Sequence, residues 1–577
     1  MNKGVTFDEG LDITSGIRTS FGFVVLGFLL MLSLAASATH SLAQSIDYDE
    51  EKDLAVLASN QNVRMHYQRL SSPLRSKEKI WQGLERVIEA MPTDSDDYRR
   101  LEALVLEKSA SQLQTFVSQG ALSYEEITRF FIARIHAIET DDQRYLNAVI
   151  SLNPLAVDAA RAADDERKEG KNIAPDSLFG LPILLKDNIG FEGLPTTAGA
   201  AALAENYARD AFVTQRLKAN GVVILGKANL SEWAYFFCTG CPSGYSALGG
   251  QTLNPYGRLK FNTGGSSAGS GAAIAGNYAL AAVGSETAGS ILSPSSANSL
   301  VGLKPTTGSL SRSGVVPISS TLDTTGPMAR TLGDVVALFN AMAGYDQADT
   351  AMPRLTEDLK LLVRDTDLTG LRLGFPEALA SEPLIVAAVS KLEAAGVVVV
   401  PVEFAPPDLS EEAQFMGAEM VRDLTEYLSD NASDEVRIET LSDLQAYNLD
   451  IPSERAPYGQ ALVDQMVDFE TFFQSDIAAG EGEIARLKQI VVEEVGGYLN
   501  ALFSRHDLDV LVRINNSGAS AGAFANYPAL TIPAGYRVSG QPVGVTFYAP
   551  SFQEQRLIDI GQKLEASGVM RQPPSGY

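Results

Sequence analysis

Histidine and cysteine are scarce in this sequence, and their scarcity excludes several kinds of site. The 577 residues include four histidines and two cysteines. The histidines are His40, His66, His136 and His506. A zinc site built on Cys238–Cys241 would need two further ligands, and no histidine stands near that pair in the sequence. The sequence therefore indicates neither a metal site nor a cofactor.

Positive charge is also in short supply. Lysine and arginine together number 45, against 71 aspartates and glutamates, which gives a formal net charge of −26 at pH 7. Nucleic acids and anionic lipid surfaces attract basic proteins, so this balance argues against both as partners. Hydrophobic residues make up 45% of the chain and charged residues 20%, which is ordinary for a globular protein.

Long apolar runs are missing except near the N-terminus. Phe21–Ala38 is uncharged over 18 residues, follows Lys3 and Arg18, and leads into small-residue patterns at Ala36–Ala38 and Ser41–Ala43. This order is typical of a secretory signal peptide, which we place at residues 1–43, and it predicts export, most simply to a bacterial periplasm. An uncleaved membrane anchor stays open, because the run is close to the length that spans a bilayer.

The two cysteines, Cys238 and Cys241, are separated by two residues. An exported compartment is oxidising, so we favour a structural disulfide, with two packed thiols as the alternative. A redox function fits less well, because the segment lacks the fold context of thioredoxin-like sites.

Two loops rich in serine and glycine stand near the middle of the chain. They are Gly264–Gly271 and Gly284–Ile291, and a segment of small residues joins them. Glycine lets the backbone bring its amides close to a ligand, as an anion or oxyanion site requires. A phosphate-binding P-loop is excluded, because Ser270 stands where that motif needs lysine.

Gly265–Gly269 also matches the G-x-S-x-G pattern of a nucleophile elbow, with Ser267 as the nucleophile. The elbow should follow an apolar strand, whereas the preceding Arg258–Thr263 is not such a strand. It also needs a downstream histidine, and His506 is the only one. The elbow and a flexible linker both stay open, but they fit the residues less well than a third interpretation.

The third interpretation rests on three motifs in a fixed order. Gly180–Asn188 reads Gly-Leu-Pro-Ile-Leu-Leu-Lys-Asp-Asn, Gly264–Ser267 reads Gly-Gly-Ser-Ser, and Glu286–Ile291 reads Glu-Thr-Ala-Gly-Ser-Ile. Together they resemble the amidase signature family, most closely its bacterial peptide-amidase type. Similarity to the family continues through residues 249–255, 301–306 and 323–330, and covers the chain roughly from residue 109 to its end.

The resemblance implies an α/β fold, with a large mixed β-sheet core covered by helices on both faces. It also implies a Ser-cis-Ser-Lys catalytic set, in which Ser290 is the nucleophile, Ser266 passes the proton and Lys186 is the base. The Gly265–Ser266 peptide is expected to be cis. The backbone amides expected to hold the oxyanion are those of Thr287, Ala288, Gly289 and Ser290.

The proposed base needs an unusual environment. A free lysine, with a pKa near 10.4, is neutral in about one molecule in 2,500 at pH 7. Lys186 must therefore be desolvated, and the apolar run Ile183–Leu185 predicts a buried central strand that ends at this lysine.

Local patterns also predict the elements around the serine loops. The small residues of Ser266–Gly276 predict a buried helix that holds both loops in a fixed relation, and Ala279–Val283 predicts a strand. Pro294 suits the first turn of a following helix. Residues 287–290 should therefore form a strand-to-helix turn with free backbone amides.

The domain organisation predicted from these patterns has three parts. The signal peptide is followed by a charge-rich stretch at 44–108, whose helical spacing resembles the leader of some family members. Residues 109–577 form the amidase signature domain. Within it we interpret 371–513 as a substrate cap region, with strands near 371–376 and 397–401. No feature of the sequence indicates an oligomeric state.

The implied function is hydrolysis of a linear carbon–nitrogen amide bond through an acyl-serine intermediate. The expected substrate is a small amide or a C-terminal peptide amide, and the products are a carboxylate and ammonia or an amine. An esterase using the same three side chains stays open, as does a non-catalytic binding protein. A binding protein would be expected to have lost Lys186, Ser266 or Ser290, and all three are present. Export would separate the chain from tRNA, which argues against a glutamyl-tRNA amidotransferase component.

Overall fold

A computed structural model describes residues 50–352, 359–568 and 571–577. Glu50–Tyr577 form one compact unit. The predicted signal peptide lies outside the described residues. In the part of the chain that is described, no helix combines the length and the apolar character needed to cross a bilayer.

The core of the unit is a mixed β-sheet. In chain order the strands are β1 (Val149–Leu152), β2 (Pro182–Lys186), β3 (Val223–Ala228), β4 (Tyr245–Ser246), β5 (Gly250–Gln251), β6 (Ala281–Glu286), β7 (Val301–Lys304), β8 (Thr324–Ala329), β9 (Arg372–Pro376), β10 (Val398–Val402), β11 (Val510–Ile514), β12 (Ala529–Tyr536) and β13 (Pro542–Tyr548). Eleven of them form one sheet, in the order β1-β3-β2-β6-β8-β7-β12-β13-β11-β9-β10, and β4 pairs with β5. Strands β3, β2 and β6 are parallel, as are β11, β9 and β10, and the remaining neighbours are antiparallel. The predicted α/β fold with a large mixed sheet is confirmed.

Helices make up much of the rest of the chain. In chain order they are α1 (Glu50–Ala58), α2 (Glu85–Glu89), α3 (Asp96–Val105), α4 (Ala110–Ser118), α5 (Tyr124–Glu139), α6 (Ala156–Lys168), α7 (Phe212–Ala219), α8 (Ala268–Ala275), α9 (Leu292–Ala297), α10 (Leu332–Met342), α11 (Pro383–Ala394), α12 (Glu411–Asp430), α13 (Leu441–Asp450), α14 (Pro452–Arg455), α15 (Ala461–Ser475), α16 (Ile477–Val491), α17 (Gly497–His506), α18 (Ala519–Phe524) and α19 (Glu554–Ala566). Helix α5 begins with a capping box formed by Ser123 and Glu126.

Strands β2 and β6 lie side by side and run parallel, with Leu185 opposite Val283. Every residue of both strands is buried. Because successive side chains of a strand point to opposite sides, both faces of the sheet are covered here. The predicted central strand is confirmed, and its last residue, Lys186, lies at the same sheet edge as the end of β6.

Helix α8 lies between the two serine-rich loops and is buried along its whole length. Its small residues permit close packing: a Cβ at Gly269 would collide with the carbonyl of Ala148 and the backbone of Asn229. The Gly269 amide also donates to the carbonyl of Asn229 at 2.8 Å. The predicted buried helix is therefore confirmed, and it fixes one serine loop against the sheet.

The segment 371–513 contains both sheet strands and helices. Strands β9 and β10 near its start and β11 at its end belong to the large sheet. Helices α12 to α17 lie between them, from residue 411 to residue 506. The substrate cap stays a prediction, and the strands at the two ends of the segment pair with the large sheet while helices fill the stretch between them.

Residues 50–108 pack directly against the rest of the unit. The carboxylate of Glu50 accepts from the amide of Leu70 at 2.5 Å, and the Leu70 carbonyl accepts from the amide of Gln251 at 2.8 Å. Asp53 pairs with Arg258 at 2.9 Å. The helical spacing predicted for this stretch appears as α1, α2 and α3, with two short 3-10 helices, Val63–Met65 and Lys77–Ile80, between α1 and α2.

Candidate active site

Lys186 ends β2 and is completely buried. Its Nζ donates to Oγ of Ser266 at 2.7 Å, to Oγ of Ser285 at 2.8 Å and to the carbonyl of Ser285 at 3.1 Å. An ammonium has three donors, so these contacts account for all of them. Asn188 donates to the Ser285 hydroxyl at 2.9 Å and holds that hydroxyl in place.

The environment of Lys186 changes its acidity. Burial lowers the pKa of the Lys186 amine from 10.5 to about 7, and the negative charges of Asp323 and Glu286 act in the opposite direction. A pKa near 7 leaves about half of the lysine neutral at neutral pH, against about one molecule in 2,500 for a free lysine. The strand end therefore provides the desolvation that a lysine base requires.

Ser266 lies on the loop before α8, and the Gly265–Ser266 peptide is cis, as predicted. The Ser266 side chain is buried, and the backbone carbonyl of Ser266 accepts from the amide of Ser231 at 2.9 Å. Lys186 and Ser266 are thus brought together as the motifs predicted, although 80 residues separate them in the chain.

Ser267 does not have the geometry of a nucleophile elbow. Its side chain is fully buried, and its hydroxyl donates to the carbonyl of Ser285 at 3.1 Å. His506, the histidine that the elbow would need, is the last residue of α17. Among the described residues, no hydrogen bond joins Ser267 to a histidine.

Ser290 lies on the second loop and is partly exposed, whereas Lys186 and Ser266 are buried. The two loops are joined because the Ser267 amide donates to the Ser290 carbonyl at 3.2 Å. The Ser290 hydroxyl makes no hydrogen bond to Ser266 in the described part of the chain. The structure therefore brings Lys186 and Ser266 into contact, and presents Ser290 on the adjacent, accessible loop.

Residues 287–290 form the predicted strand-to-helix turn between β6 and α9, but one expected oxyanion donor is already engaged. The amide of Gly289 donates to Oε1 of Glu286 at 2.7 Å. Oε2 of the same carboxylate accepts from the amides of Ile291 at 2.6 Å and Leu292 at 3.0 Å. The expectation that the Gly289 amide holds the oxyanion stays a prediction: in this structure Glu286 folds back over the turn and already accepts from that amide.

Within the residues that the structure describes, the backbone amides of the other three expected oxyanion donors are not engaged. No described residue accepts from the backbone amide of Thr287, Ala288 or Ser290, and the last two residues are partly exposed. The first four amides of a helix have no partner within the helix. Glu286 accepts from the amides of Ile291 and Leu292 at the start of α9, and the amides of Thr287, Ala288 and Ser290 are left for another acceptor.

Sequence reasoning missed several polar residues around the triad. Ser285 receives two of the three Lys186 hydrogen bonds, and Asp323 accepts from the Thr287 hydroxyl at 2.5 Å. Glu286 and Asp323 both stand in matched motifs, which is the signal that could have drawn attention to them. In the described ranges, no cluster of three or more histidine, cysteine, aspartate or glutamate side chains is arranged to hold a metal ion.

Cys238 and Cys241 form a disulfide, with Cα atoms 5.7 Å apart, which confirms the structural pairing. Cys238 is buried in an apolar cluster that contains Trp233 and Phe237 together with Met420 and Met466 of the helical segment. The disulfide thus closes a loop at the junction between the sheet and the helices of residues 411–506.

Comparisons with known proteins agree with this geometry. A sequence model of the amidase family matches residues 126–512. A probable amidase of Arabidopsis thaliana is 34% identical over 488 residues, which cover 82% of this chain and 92% of that protein. The native peptide amidase of Stenotrophomonas maltophilia is 36% identical with a TM-score of 0.74, covering 81% of this chain and 98% of its own. An amidase family protein of Bacillus anthracis is 33% identical with a TM-score of 0.79, covering 87% and 98%.

The chain therefore belongs to the amidase signature family. It is a hydrolase that acts on amide bonds. The resemblance seen in the three motifs is confirmed along most of the chain.

Proposed function

We propose that this amidase hydrolyses the C-terminal amide of peptides, with Ser290 as nucleophile, Ser266 as proton relay and Lys186 as base. The observation that carries the assignment is the 2.7 Å contact between the buried amine of Lys186 and the Ser266 hydroxyl. Ser290 is accessible on the neighbouring loop, where a substrate carbonyl can reach it. In the described ranges no histidine is hydrogen-bonded to Ser266, Ser267 or Ser290, and Lys186 is the base that contacts a serine hydroxyl.

Acylation begins when the Ser290 oxygen attacks the amide carbon. Its proton passes to the oxygen of Ser266, whose own proton moves to the neutral amine of Lys186. The C–N bond of the tetrahedral intermediate then breaks, and the lysine returns the proton through Ser266 to the leaving nitrogen, so that ammonia departs. Water attacks the resulting acyl ester in the same way, releases the carboxylic acid and restores the Ser290 hydroxyl.

The negative oxygen of the tetrahedral intermediate needs fixed donors. We assign this role to the backbone amides of Thr287, Ala288 and Ser290, because they lie on the turn that carries the nucleophile and donate to no described residue. Donors already fixed before the reaction stabilise the developing charge without reorganisation. The Gly289 amide takes no part, since Glu286 holds it.

A cavity among the helices supports a substrate with an apolar side chain. It has a volume of about 330 Å³ and is lined by residues that include Phe236, Met466, Phe469 and Leu487. Ala288, two residues before Ser290, packs against an apolar cluster that also contains Leu487. Apolar walls with few polar groups are typical of small-molecule sites, so we place the side chain next to the scissile amide in this cavity.

Peptide amides are favoured as substrates over aminoacyl-tRNA and over strongly acidic peptides. The Stenotrophomonas peptide amidase is 36% identical to this chain. A glutamyl-tRNA(Gln) amidotransferase component of Salinispora tropica is 32% identical, covering 81% of this chain and 98% of that protein. The net charge of −26 disfavours binding of tRNA, and it also disfavours strongly acidic peptides.

Export is part of the proposal. The uncharged run Phe21–Ala38 and the small-residue patterns after it support a cleaved signal peptide and a periplasmic location. N-terminal sequencing of protein recovered from a secreting host should give a mature start near Thr39 or Gln44. Recovery of protein that still carries residues 1–38 would contradict cleavage and favour an anchor.

The substrate class is tested by an ammonia-release screen of the purified mature protein on peptide amides, fatty amides and aryl amides. We expect the highest kcat/KM on peptide amides with an apolar terminal residue, and no release by the Ser290→Ala variant. A higher kcat/KM on fatty or aryl amides would contradict the proposed substrate. Turnover of matched esters with no turnover of any amide would identify an esterase.

A further inference from the structure

Asp323 lies just before β8 and is partly buried beside the oxyanion turn. Its Oδ1 accepts from the hydroxyl of Thr287 at 2.5 Å. Its Oδ2 accepts from the amides of Ile318 at 2.8 Å and Ser319 at 3.0 Å. One carboxylate therefore joins the loop of residues 318–323 to the first residue of the turn that carries Ser290.

The loop of residues 318–323 is fixed on its other side by helix α12. The hydroxyls of Ser319 and Thr321 both donate to the carboxylate of Glu419, and the amide of Ser320 donates to Asp423 at 2.6 Å. Glu419 and Asp423 are buried, so these hydrogen bonds are shielded from water. The position of Asp323 is thus determined from two sides rather than by the turn alone.

The charge of Asp323 also acts on Lys186. Among the negative charges that raise the pKa of the Lys186 amine against its burial, Asp323 contributes the most and Glu286 contributes less. Burial raises the pKa of Asp323 itself to about 6, and its hydrogen bonds together with the charge of Arg312 counter that rise. Arg312 is paired with Asp349 at 2.5 Å. At neutral pH the ionised carboxylate is therefore a negative charge near the lysine.

We propose that Asp323 is a positioning residue for amide hydrolysis: it anchors the Thr287 end of the oxyanion turn and supplies a negative charge that holds the proton on Lys186. The proposal rests on the proposed function, because it requires Lys186 to be the base. The two effects are separable. Removing the charge lets the lysine lose its proton at lower pH, whereas removing only the hydrogen bond frees the turn and leaves the charge in place.

Asp323→Asn removes the charge with little change of shape. The asparagine oxygen can still accept from the amides of Ile318 and Ser319, and its NH₂ group can donate to the Thr287 hydroxyl, so the loop stays bonded. We expect the acidic limb of the kcat/KM profile to move about 1 pH unit lower, since nearby charges shift a pKa by that order. The basis is that the free enzyme's kcat/KM reports the pKa of its base.

Thr287→Val tests the hydrogen bond alone. We expect kcat to fall about ten-fold, which corresponds to one hydrogen bond to a charged group, with little change in KM and no movement of the acidic limb. Thr287→Ser keeps the hydroxyl and should restore most of kcat. A wild-type kcat in Thr287→Val would overturn the anchoring role.

Asp164→Asn is the matched control for neutralising an aspartate that accepts from two backbone amides. Its carboxylate accepts from the amides of Tyr124 and Glu125 at 3.0 Å each, at the start of α5, and among the described residues no hydrogen bond joins it to the serine loops. This variant should keep the wild-type acidic limb. An equal shift of the limb in Asp164→Asn and Asp323→Asn would overturn the proposal, because a general structural effect would then explain both.

The rate of labelling of Ser290 by a fluorophosphonate, measured against pH, separates this proposal from the proposed function. It does not depend on the choice of amide. In the wild type the labelling rate should rise near pH 7. If the labelling rate of Asp323→Asn rises at the same pH, the role of Asp323 is overturned and the catalytic assignment stands. Wild-type protein that is not labelled at Ser290 would contradict the proposed function, and the role of Asp323 would fall with it.

Discussion

Replacing Lys186 by methionine separates the chemistry of the lysine from the space that it fills. Methionine has a similar length and keeps the end of β2 packed, but it lacks the amine that donates to Ser266 and Ser285. No other described residue donates to the Ser266 hydroxyl. We therefore expect amide turnover by Lys186→Met to fall to background.

The same substitution has an effect on stability whose sign follows from the pKa. The folded-state pKa of Lys186 is about 7, below the ordinary 10.5. Between these two values the unfolded chain binds more protons than the folded protein, so stability rises with pH there. The destabilising contribution of the lysine is complete below pH 7, on the order of 5 kcal/mol, and it declines by up to about 1.4 kcal/mol per pH unit toward pH 10.5.

Two measurements check this reasoning. The kcat/KM of the wild type should rise through a pH of about 7 as Lys186 loses its proton. Lys186→Met lacks this destabilising lysine, so its unfolding temperature should exceed that of the wild type by the largest margin below pH 7. The margin should shrink steadily as the pH rises to 9. Lys304→Met is the control, because Lys304 is also buried, has a pKa lowered by burial, and donates to the carbonyls of Pro305 and Tyr527 instead. Lys304→Met should change the unfolding temperature and leave the rise of kcat/KM near pH 7 unchanged.

A wild-type profile that is flat between pH 6 and 9 would refute the assignment of a titrating base with a pKa near 7. Amide turnover that survives in Lys186→Met would refute the lysine as the base. A stability difference that does not change with pH would show that the lysine is not desolvated in the folded protein.

Three further predictions concern the surroundings of the site. Cys238→Ser should keep kcat within about two-fold and reduce stability by about 2 kcal/mol, as expected for a short disulfide loop; a large loss of kcat would give the disulfide a catalytic role. Gly417→Leu should lower kcat/KM about ten-fold for peptide amides with large apolar side chains and spare glycine amides, because a Cβ at Gly417 lies 3.3 Å from Met466 in the cavity wall; equal losses on both would contradict the side-chain site. Glu286→Gln should reduce kcat by about ten-fold or more, since its NH₂ group cannot accept from the amide of Gly289; an unchanged kcat would contradict the role of this carboxylate in the turn.

The elements that carry the triad could be predicted from the sequence because each depends on local patterns. An apolar run that ends in Lys186 indicates a buried strand, and a stretch of small residues between two loops indicates a closely packed helix. The cis Gly265–Ser266 peptide and the order of the three motifs came from the family resemblance. These predictions needed no knowledge of how distant segments pack.

The parts that could not be predicted depend on contacts between segments far apart in the chain. Whether Glu286 would fold back onto the amide of Gly289 is decided by the three-dimensional path of the turn, and the motif letters do not encode that path. Asp323 acts on Thr287 and Lys186 only because β6 and β8 are neighbours in the sheet. The bounds of the helical segment within 371–513 could not be predicted for the same reason. The strands on either side of it pair with the large sheet, and none of them lies in a recognised motif.

The central claim is that Ser290 is the nucleophile, and mapping the labelled residue tests it most directly. Wild-type protein, Ser290→Ala and Ser267→Ala are treated with a fluorophosphonate, digested and analysed by mass spectrometry. We expect one adduct on the peptide containing Ser290 in the wild type and in Ser267→Ala, and none in Ser290→Ala. An adduct on Ser267 that persists in Ser290→Ala would contradict it.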